Sequence, residues 1–438
     1  MTLNFGQILA DQGGNFRPMT HDTQIVDALR EASGYIHALR DSVLVVHLQA
    51  HRLDDDVGQR TIQDLVRLKQ FGARIILVHG IKQALNQAVG DHTLLNGQRV
   101  SNDDILDHAS NIENRAMQRV ESIVSVSSSR HSLGRCSVVA GNWVTARPLG
   151  VIDGVDHLKT GVVRSIDKHA LLSITEAGHI VQVGPVQYSI TGDRYNIRTD
   201  DMAMEIAVAV GADKLVYLNE TPNAERSTAL SPATAEAMAK TTPSLAHQLQ
   251  LAARAVRRGV GRVHLVSADD DGGLFNELLT RDGVGRLVSA DRYEGLRKAT
   301  LDDVGGIVNL IEPLEAAGQL VPRGRQAIEI DIDHYWIFER DGMVIACAAL
   351  LPIGEKAYEI ACVATHENYR GLGRAAALLE HLIEQTDGED QVFALSTQTS
   401  SWFNEHGFVN CDPRTLPAER LARYDPKRGS KVLLLKRG

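Results

Sequence analysis

From about Thr23 to Val288, short apolar runs alternate with stretches of helical spacing. Val43–Leu48 is a β-branched run, and Gln59–Gln70 places Ile62, Leu65, Val66 and Leu68 along one helical stripe. Ile75–Val78 is a second strand of the fully buried type, ending at His79–Gly80. Ser137–Ala140, Leu215–Leu218 and Val263–Val266 repeat the theme, with helical segments at Asp200–Val210 and Leu245–Arg257. Strand and helix in alternation predict a largely parallel sheet covered by helices.

The texture changes after about Asp291. Leu296–Ala299 reads as a strand, with Asp302 placed to cap the helix that follows. Tyr335–Glu339 and Met343–Leu350 flank Asp341–Gly342, a strong hairpin signal. Then come a strand at Tyr358–Val363, a turn at Asn368–Gly373, a helix at Arg374–Gln385 and a strand at Phe393–Leu395. A domain boundary is expected near residues 285–295.

Length and charge narrow the possibilities. A chain of 438 residues is too long for one core, so two or three domains are expected. The net charge of −9 argues against nucleic acid as a partner, so local basic groups must hold any anionic ligand. No apolar run approaches a membrane span. The first residues, MTLNFGQILADQGGNF, lack the basic start and apolar block of a secretory signal. Cys136, Cys347, Cys362 and Cys411 are scattered without CxxC pairing, so free thiols in the cytoplasm are expected, without a metal site.

The candidate chemistry lies near the C-terminus. Arg370-Gly-Leu-Gly-Arg-Ala375 follows a strand and opens a helix. Consecutive N–H groups at Gly371, Leu372, Gly373, Arg374 and Ala375 suit a pyrophosphate, with positive charge from Arg370 and Arg374. Glu359, amid apolar neighbours, is the candidate general base. Arg428 with Ser430, and Arg323 or Arg325, are candidate anchors for carboxylates.

The Arg-x-x-Gly-x-Ala turn after a hairpin and a strand resembles the phosphate-binding turn of the GNAT acetyltransferases, over roughly residues 292–438. The resemblance implies a strand that splays from its neighbour. A thioester carbonyl would then bind the N–H of Cys362 or Val363. Many GNAT enzymes protonate the leaving thiolate with a tyrosine, but Phe393–Phe408 contains none, which leaves Ser396 and Thr397.

Further stretches, among them AMEIAVAVGADKL (203–215), VGPVQYSITGDRYN (183–196), PLEAAGQLVPRGR (313–325), EIACVATHENYR (359–370) and YDPKRGSKVL (424–433), extend the resemblance along nearly the whole chain. They resemble the bacterial N-acetylglutamate synthase family, an amino acid kinase-like domain fused to a GNAT domain. That resemblance implies a three-layer αβα domain at 23–288 with a mainly parallel sheet and an α/β GNAT domain at 289–438. It also implies a segment 1–22 that helps form a homo-oligomer, a hexamer in relatives. The implied reaction acetylates L-glutamate from acetyl-CoA as co-substrate, with no permanent cofactor, at the first step of arginine biosynthesis. It supports Glu359 as base, Cys362 as a backbone contact, and Arg323, Arg428 and Ser430 as glutamate contacts.

Active kinases of this fold carry a lysine and a Gly-Gly loop around the first strand. Here Asp41 stands near the lysine position, and His47, Leu48 and Gln49 fill the turn, so no phosphoryl transfer is expected. Phe275–Gly285 resembles the arginine-binding segment of arginine-inhibited relatives. It implies Glu277 for the guanidinium, Gly283 for backbone contact and Lys214 for the carboxylate. A bifunctional synthase–kinase, a non-catalytic arginine sensor and a protein-lysine acetyltransferase are the competing readings.

Overall fold

The computed structural model describes residues 21–90, 94–95, 98–129, 136–219, 229–290 and 294–436. The segment 1–22 expected to mediate subunit contacts lies outside them but for His21 and Asp22, which open the helix His21–Leu39. The chain divides into two compact units at Asp291/Arg292.

The first unit is built on an eight-stranded sheet. Its order is Ala229–Leu230, Arg286–Ser289, Arg262–Ser267, Lys214–Asn219, Val43–Gln49, Arg74–Gly80, Ile180–Val183 and Val138–Ala140. All neighbours pair parallel except Arg262–Ser267 with Arg286–Ser289. The apolar run Val43–Leu48 explains the layering. Val43 and Val45 enter one core with Met202–Val210 and Leu249–Val256, while Leu44, Val46 and Leu48 enter a second with Ile62–Leu68. A strand whose alternate residues are buried on opposite faces needs helices on both. A closed barrel of Val144–Pro148, Thr160–Ile166, Val186–Tyr188 and Arg194–Ile197 completes the unit.

The second unit is a seven-stranded sheet in the order Glu294–Lys298, Tyr335–Arg340, Met343–Pro352, Ala357–Thr365, Gln391–Ser396, Lys431–Leu435 and Phe408–Cys411. Its one parallel pair is Ala357–Thr365 with Gln391–Ser396. The hairpin turn has φ of 46° at Asp341 and 79° at Gly342, the conformation the Asp-Gly pair favours. The expected cap at Asp302 is corrected: the carboxylate of Asp303 accepts the Thr300 N–H at 2.8 Å and takes the role. Asp303 also pairs with Arg297 at 2.7 Å, which selects it over its neighbour.

One buried acid in the first unit has a consequence for stability. Glu113, on the helix Asp103–Ser129, accepts a hydrogen bond from the Val186 N–H at 3.1 Å. Burial pushes its carboxyl from 4.5 up to about 8, against the pull of that N–H. The folded chain therefore holds a proton that the unfolded chain releases, so stability should fall as pH rises from about 4.5 to about 8. Glu113→Gln keeps the shape of the protonated acid. Thermal unfolding at several pH values across that window should show a flatter profile for the variant; identical slopes would contradict this.

Candidate active site

Two strands part company in the second unit. Ala357–Thr365 pairs with Gln391–Ser396 through Ile360↔Ala394 and no further. On its other side the same strand continues to Ala346↔Thr365, across a register shift between Cys347 and Ala349. Cys362 occupies the irregularity with φ of 55°, rare for a residue with a side chain. The bulge leaves Ala361–Thr365 without a partner on the Gln391–Ser396 side. This is the splay expected from the GNAT resemblance, with Cys362 and Val363 at its edge.

A cavity of about 260 Å³ opens beside the splay. Arg323, Glu359, Cys362, Arg428 and Ser430 all line it, so the structure brings together the residues named for amine and carboxylate binding. Arg323 is the arginine of the pair that faces it. Arg325 is instead exposed and pairs with Glu329 at 2.8 Å on its own helix. Two further guanidinium groups, Arg420 and Arg423, also line the cavity, and neither was anticipated. Four arginines face two carboxylates there, Glu359 and Asp425, an excess of two positive charges. The chain's net charge of −9 hides this local balance.

Glu359 is not a lone carboxylate. Arg420 donates to both of its oxygens, from Nε at 2.5 Å and from Nη2 at 3.1 Å. Both side chains are mostly buried, at 9% and 16% exposure. Arg420 stands on the short helix Ala418–Leu421, which buried Leu416 and the Tyr424 hydroxyl, donating to the Ser430 carbonyl at 2.9 Å, hold in place. No periodicity marks Arg420, because it comes from an irregular segment sixty-one positions away.

The turn at Arg370–Ala375 has the backbone a pyrophosphate needs. Gly371 and Gly373 have φ of 75° and 79°, and a Cβ at either would meet nothing within 4 Å. Gly373 caps the helix Arg374–Glu384 with no side-chain hydrogen bond, so its first N–H groups remain available. Leu372 is exposed. Arg370 stays at the turn, with Nε donating to the Thr365 carbonyl at 3.2 Å. The reading of Arg374 as a source of charge for the phosphates is corrected. Its guanidinium turns away to Glu294, at 2.5 and 2.8 Å, and flanks the buried Tyr369 ring with Arg340. Burial works to raise the Glu294 carboxyl, but hydrogen bonds from Arg374 and Arg340 outweigh it and hold it below the ordinary range. Arg374 fastens the turn; only its backbone, with that of Ala375, is offered to a ligand.

Of the two hydroxyls at the strand end, Ser396 does not line the cavity. Its oxygen accepts the Thr399 N–H at 2.9 Å and shares a hydrogen bond with the Thr399 hydroxyl at 2.8 Å. Thr397 does line the cavity, and its buried hydroxyl has no hydrogen-bond partner among the described residues.

In the first unit, the residues named for arginine gather at one end of the sheet. Glu277, on the helix Gly273–Leu279, is buried. It bonds His264 Nδ1 at 2.6 Å and accepts the N–H groups of Val284 and Gly285 at 2.8 and 2.7 Å. Burial works to raise its carboxyl, but those hydrogen bonds hold it below the ordinary range. Gly283 has φ of 58°, and a Cβ there would stand 2.5 Å from the Glu277 carboxylate and displace it, so the loop favours glycine. Lys214 begins the strand beside that of His264 and is close enough to act on the ring, which burial chiefly keeps neutral. His264 is a member of this cluster that the sequence did not single out.

The profile of the amino acid kinase family matches residues 51–267, and that of the acetyltransferase (GNAT) domain matches residues 331–410. An amino-acid acetyltransferase from Pseudomonas putida is 37% identical over 429 residues, covering 93% of this chain and 98% of its own. The chain belongs to the amino-acid acetyltransferase family. Within the family's solved structures, N-acetylglutamate synthase from Neisseria gonorrhoeae complexed with coenzyme A and L-arginine is 32% identical. It superposes with a TM-score of 0.83 over 94% of this chain and 99% of its own. The same enzyme complexed with coenzyme A and N-acetyl-glutamate gives 0.60 at 33% identity, with the same coverage.

In this acetyltransferase, the kinase-like sheet keeps a polar crevice of about 400 Å³ at the carboxyl end of its strands, lined by His47, Gln49, Lys82, Arg198 and Asp200 among others. Asp41 was expected beside a triphosphate. It lies instead at the amino end of the strand Val43–Gln49, away from the crevice, so it repels nothing there. The Gln49 amide and the Thr199 hydroxyl stand 2.6 to 2.8 Å from where a Cβ on Gly80 would be. Near the crevice Asp200, Asp201 and His247 converge within 4.8 Å, the one such group among the described residues, and Arg198 already pairs with both carboxylates.

Arg374→Ala leaves Glu294 with Arg340 as its remaining ion-pair partner and should cost on the order of 1–2 kcal/mol of stability, as lost charge-assisted hydrogen bonds do. Arg370→Ala should leave the melting temperature nearly unchanged while raising the Michaelis constant for acetyl-CoA. Denaturant unfolding and initial rates on the two variants check the division of labour.

Proposed function

We propose that the chain transfers the acetyl group of acetyl-CoA to the α-amine of L-glutamate. The products are N-acetyl-L-glutamate and CoA, and the reaction opens arginine biosynthesis. The observation that carries this reading is the charge of the cavity. L-glutamate brings two carboxylates for the two guanidinium groups in excess and one ammonium for the Glu359 carboxylate. The gonococcal structures with coenzyme A and N-acetyl-glutamate support the same substrates.

The pyrophosphate of acetyl-CoA docks on the N–H groups of residues 371–375, with Arg370 beside it. The thioester carbonyl enters the splay and accepts the N–H of Cys362 or Val363, which then stabilises the oxyanion. Arg323 takes one carboxylate of glutamate and Arg428 with Ser430 the other. Glu359 accepts a proton from the ammonium, the freed amine attacks the thioester carbon, and the C–N bond forms as the C–S bond breaks. As the intermediate collapses, its nitrogen gives up its extra proton and the departing thiolate takes one up, relayed through the hydroxyl of Thr397, which lines the cavity, or of Ser396 through water.

The kinase-like unit is read as regulatory. A free arginine places its guanidinium against Glu277, its carboxylate at Lys214 and its chain along the Gly283 backbone. The gonococcal complex with L-arginine supports this reading. Occupation of that site lowers turnover.

The test is CoA release measured across the amino acids, with and without L-arginine. Glutamate should be the preferred acceptor and arginine should slow the reaction; equal rates with all acceptors would overturn the substrate, and indifference to arginine would overturn the regulation. Glu359→Gln should lose about 10²–10⁴-fold in turnover while binding acetyl-CoA normally, the usual cost of removing a general base. Turnover close to that of the parent near neutral pH would remove Glu359 from the mechanism.

A further inference from the structure

The base and its arginine pose a problem that the reaction must solve. Both oxygens of Glu359 accept from one guanidinium, at 2.5 and 3.1 Å, in a largely buried pair. An oxygen that receives an amine's proton must turn at least partly from that fork. Arg420 uses Nε and Nη2 for Glu359, and among the described residues its Nη1 makes no hydrogen bond. It lines the same cavity as Arg323 and Arg428, so a carboxylate entering there meets a third guanidinium already engaged with the base. Arginine forks bind carboxylates interchangeably, because all present the same planar pair of acceptors.

We infer that Arg420 is a specificity-determining residue that exchanges partners: the substrate's side-chain carboxylate draws its guanidinium from Glu359 and thereby frees the base for the α-amine. The inference rests on the reading of Glu359 as base and glutamate as acceptor. An acidic acceptor activates its own catalyst. A neutral acceptor of the same shape fits the cavity but leaves Glu359 clamped, so discrimination appears in turnover as well as in binding. The exchange conserves ion pairs. The substrate carboxylate takes over Arg420 and the substrate ammonium takes its place at Glu359, so no charge is left bare in the cavity.

The experiment compares glutamate with glutamine, its neutral isostere, in the full-length parent, Arg420→Lys and Arg420→Ala. In the parent, glutamine should show a lower kcat as well as a higher KM. In Arg420→Ala, kcat/KM for glutamate should fall roughly 10- to 100-fold, the range for a lost charge-assisted hydrogen bond. Its kcat with glutamine should hold or rise, because the clamp is gone. Arg420→Lys keeps the charge without the fork and should fall between the two. The KM for acetyl-CoA and the melting temperature report whether the fold survives, and Arg420→Lys carries the test if Arg420→Ala does not fold. A proportionate loss with both acceptors in folded variants would reduce Arg420 to a structural brace and overturn the inference. Parent enzyme inactive on glutamate, or fully active Glu359→Gln, would instead overturn the underlying reading, and this inference with it. A changed glutamate-to-glutamine ratio with both of those intact supports the exchange.

Discussion

Everything in the catalytic unit follows from two parallel strands that stop pairing at Ile360 and Ala394. A sheet interior normally satisfies its own backbone groups, and a gap in it is a set of donors and acceptors awaiting a partner. The bulge at Cys362 makes the gap, since its left-handed backbone turns the strand away from its neighbour while the ladder to Met343–Pro352 resumes beyond it. The same parting places Glu359 at the last paired turn of the strand and the phosphate turn just past its end. One break in register thus arranges a buried carboxylate, unpaired strand N–H groups and a glycine turn along seventeen residues.

The second constraint is electrostatic. A chain with a net charge of −9 must gather anionic ligands by local means. The catalytic unit offers two such places, built by different devices. The phosphate turn relies on backbone N–H groups and a helix end, while its arginine at 374 serves the scaffold through Glu294. The cavity beside the splay presents guanidinium groups from residue 323 and from residues 420–428. Backbone donors suit a ligand held the same way in every catalytic cycle; side-chain forks suit one whose carboxylates must be told from neutral imitations.

The kinase-like unit holds a polar crevice of its own. Its sheet still ends in a polar hollow, because parallel strands open one there whatever they bind. Gln49 and Thr199 pack against Gly80, and the buried His47 bonds Thr199 at 3.0 Å. The tightly held carboxylate of Glu277 lies elsewhere, against His264 and the loop of Gly283.

The sequence by itself determined the two sheets, the hairpin at Asp341–Gly342 and the phosphate turn. Each is written in contiguous residues: two-sided apolar strands, a turn pair that favours positive φ, glycines ahead of a helix. It also placed Glu359, Arg323, Arg428 and Ser430, through the resemblance their flanking stretches carry. Tertiary structure alone decided what each charge is paired with. Arg374 and Arg370 are chemically alike and four positions apart, yet one is bound to Glu294 and the other stays at the turn. Arg420 became the partner of Glu359 across sixty-one positions, and His264 the partner of Glu277, because burial brought them within 3 Å. Ion pairs act over a few ångströms in space, whereas local pattern reads only a few positions along the chain, so the wiring of the site could be seen only after folding.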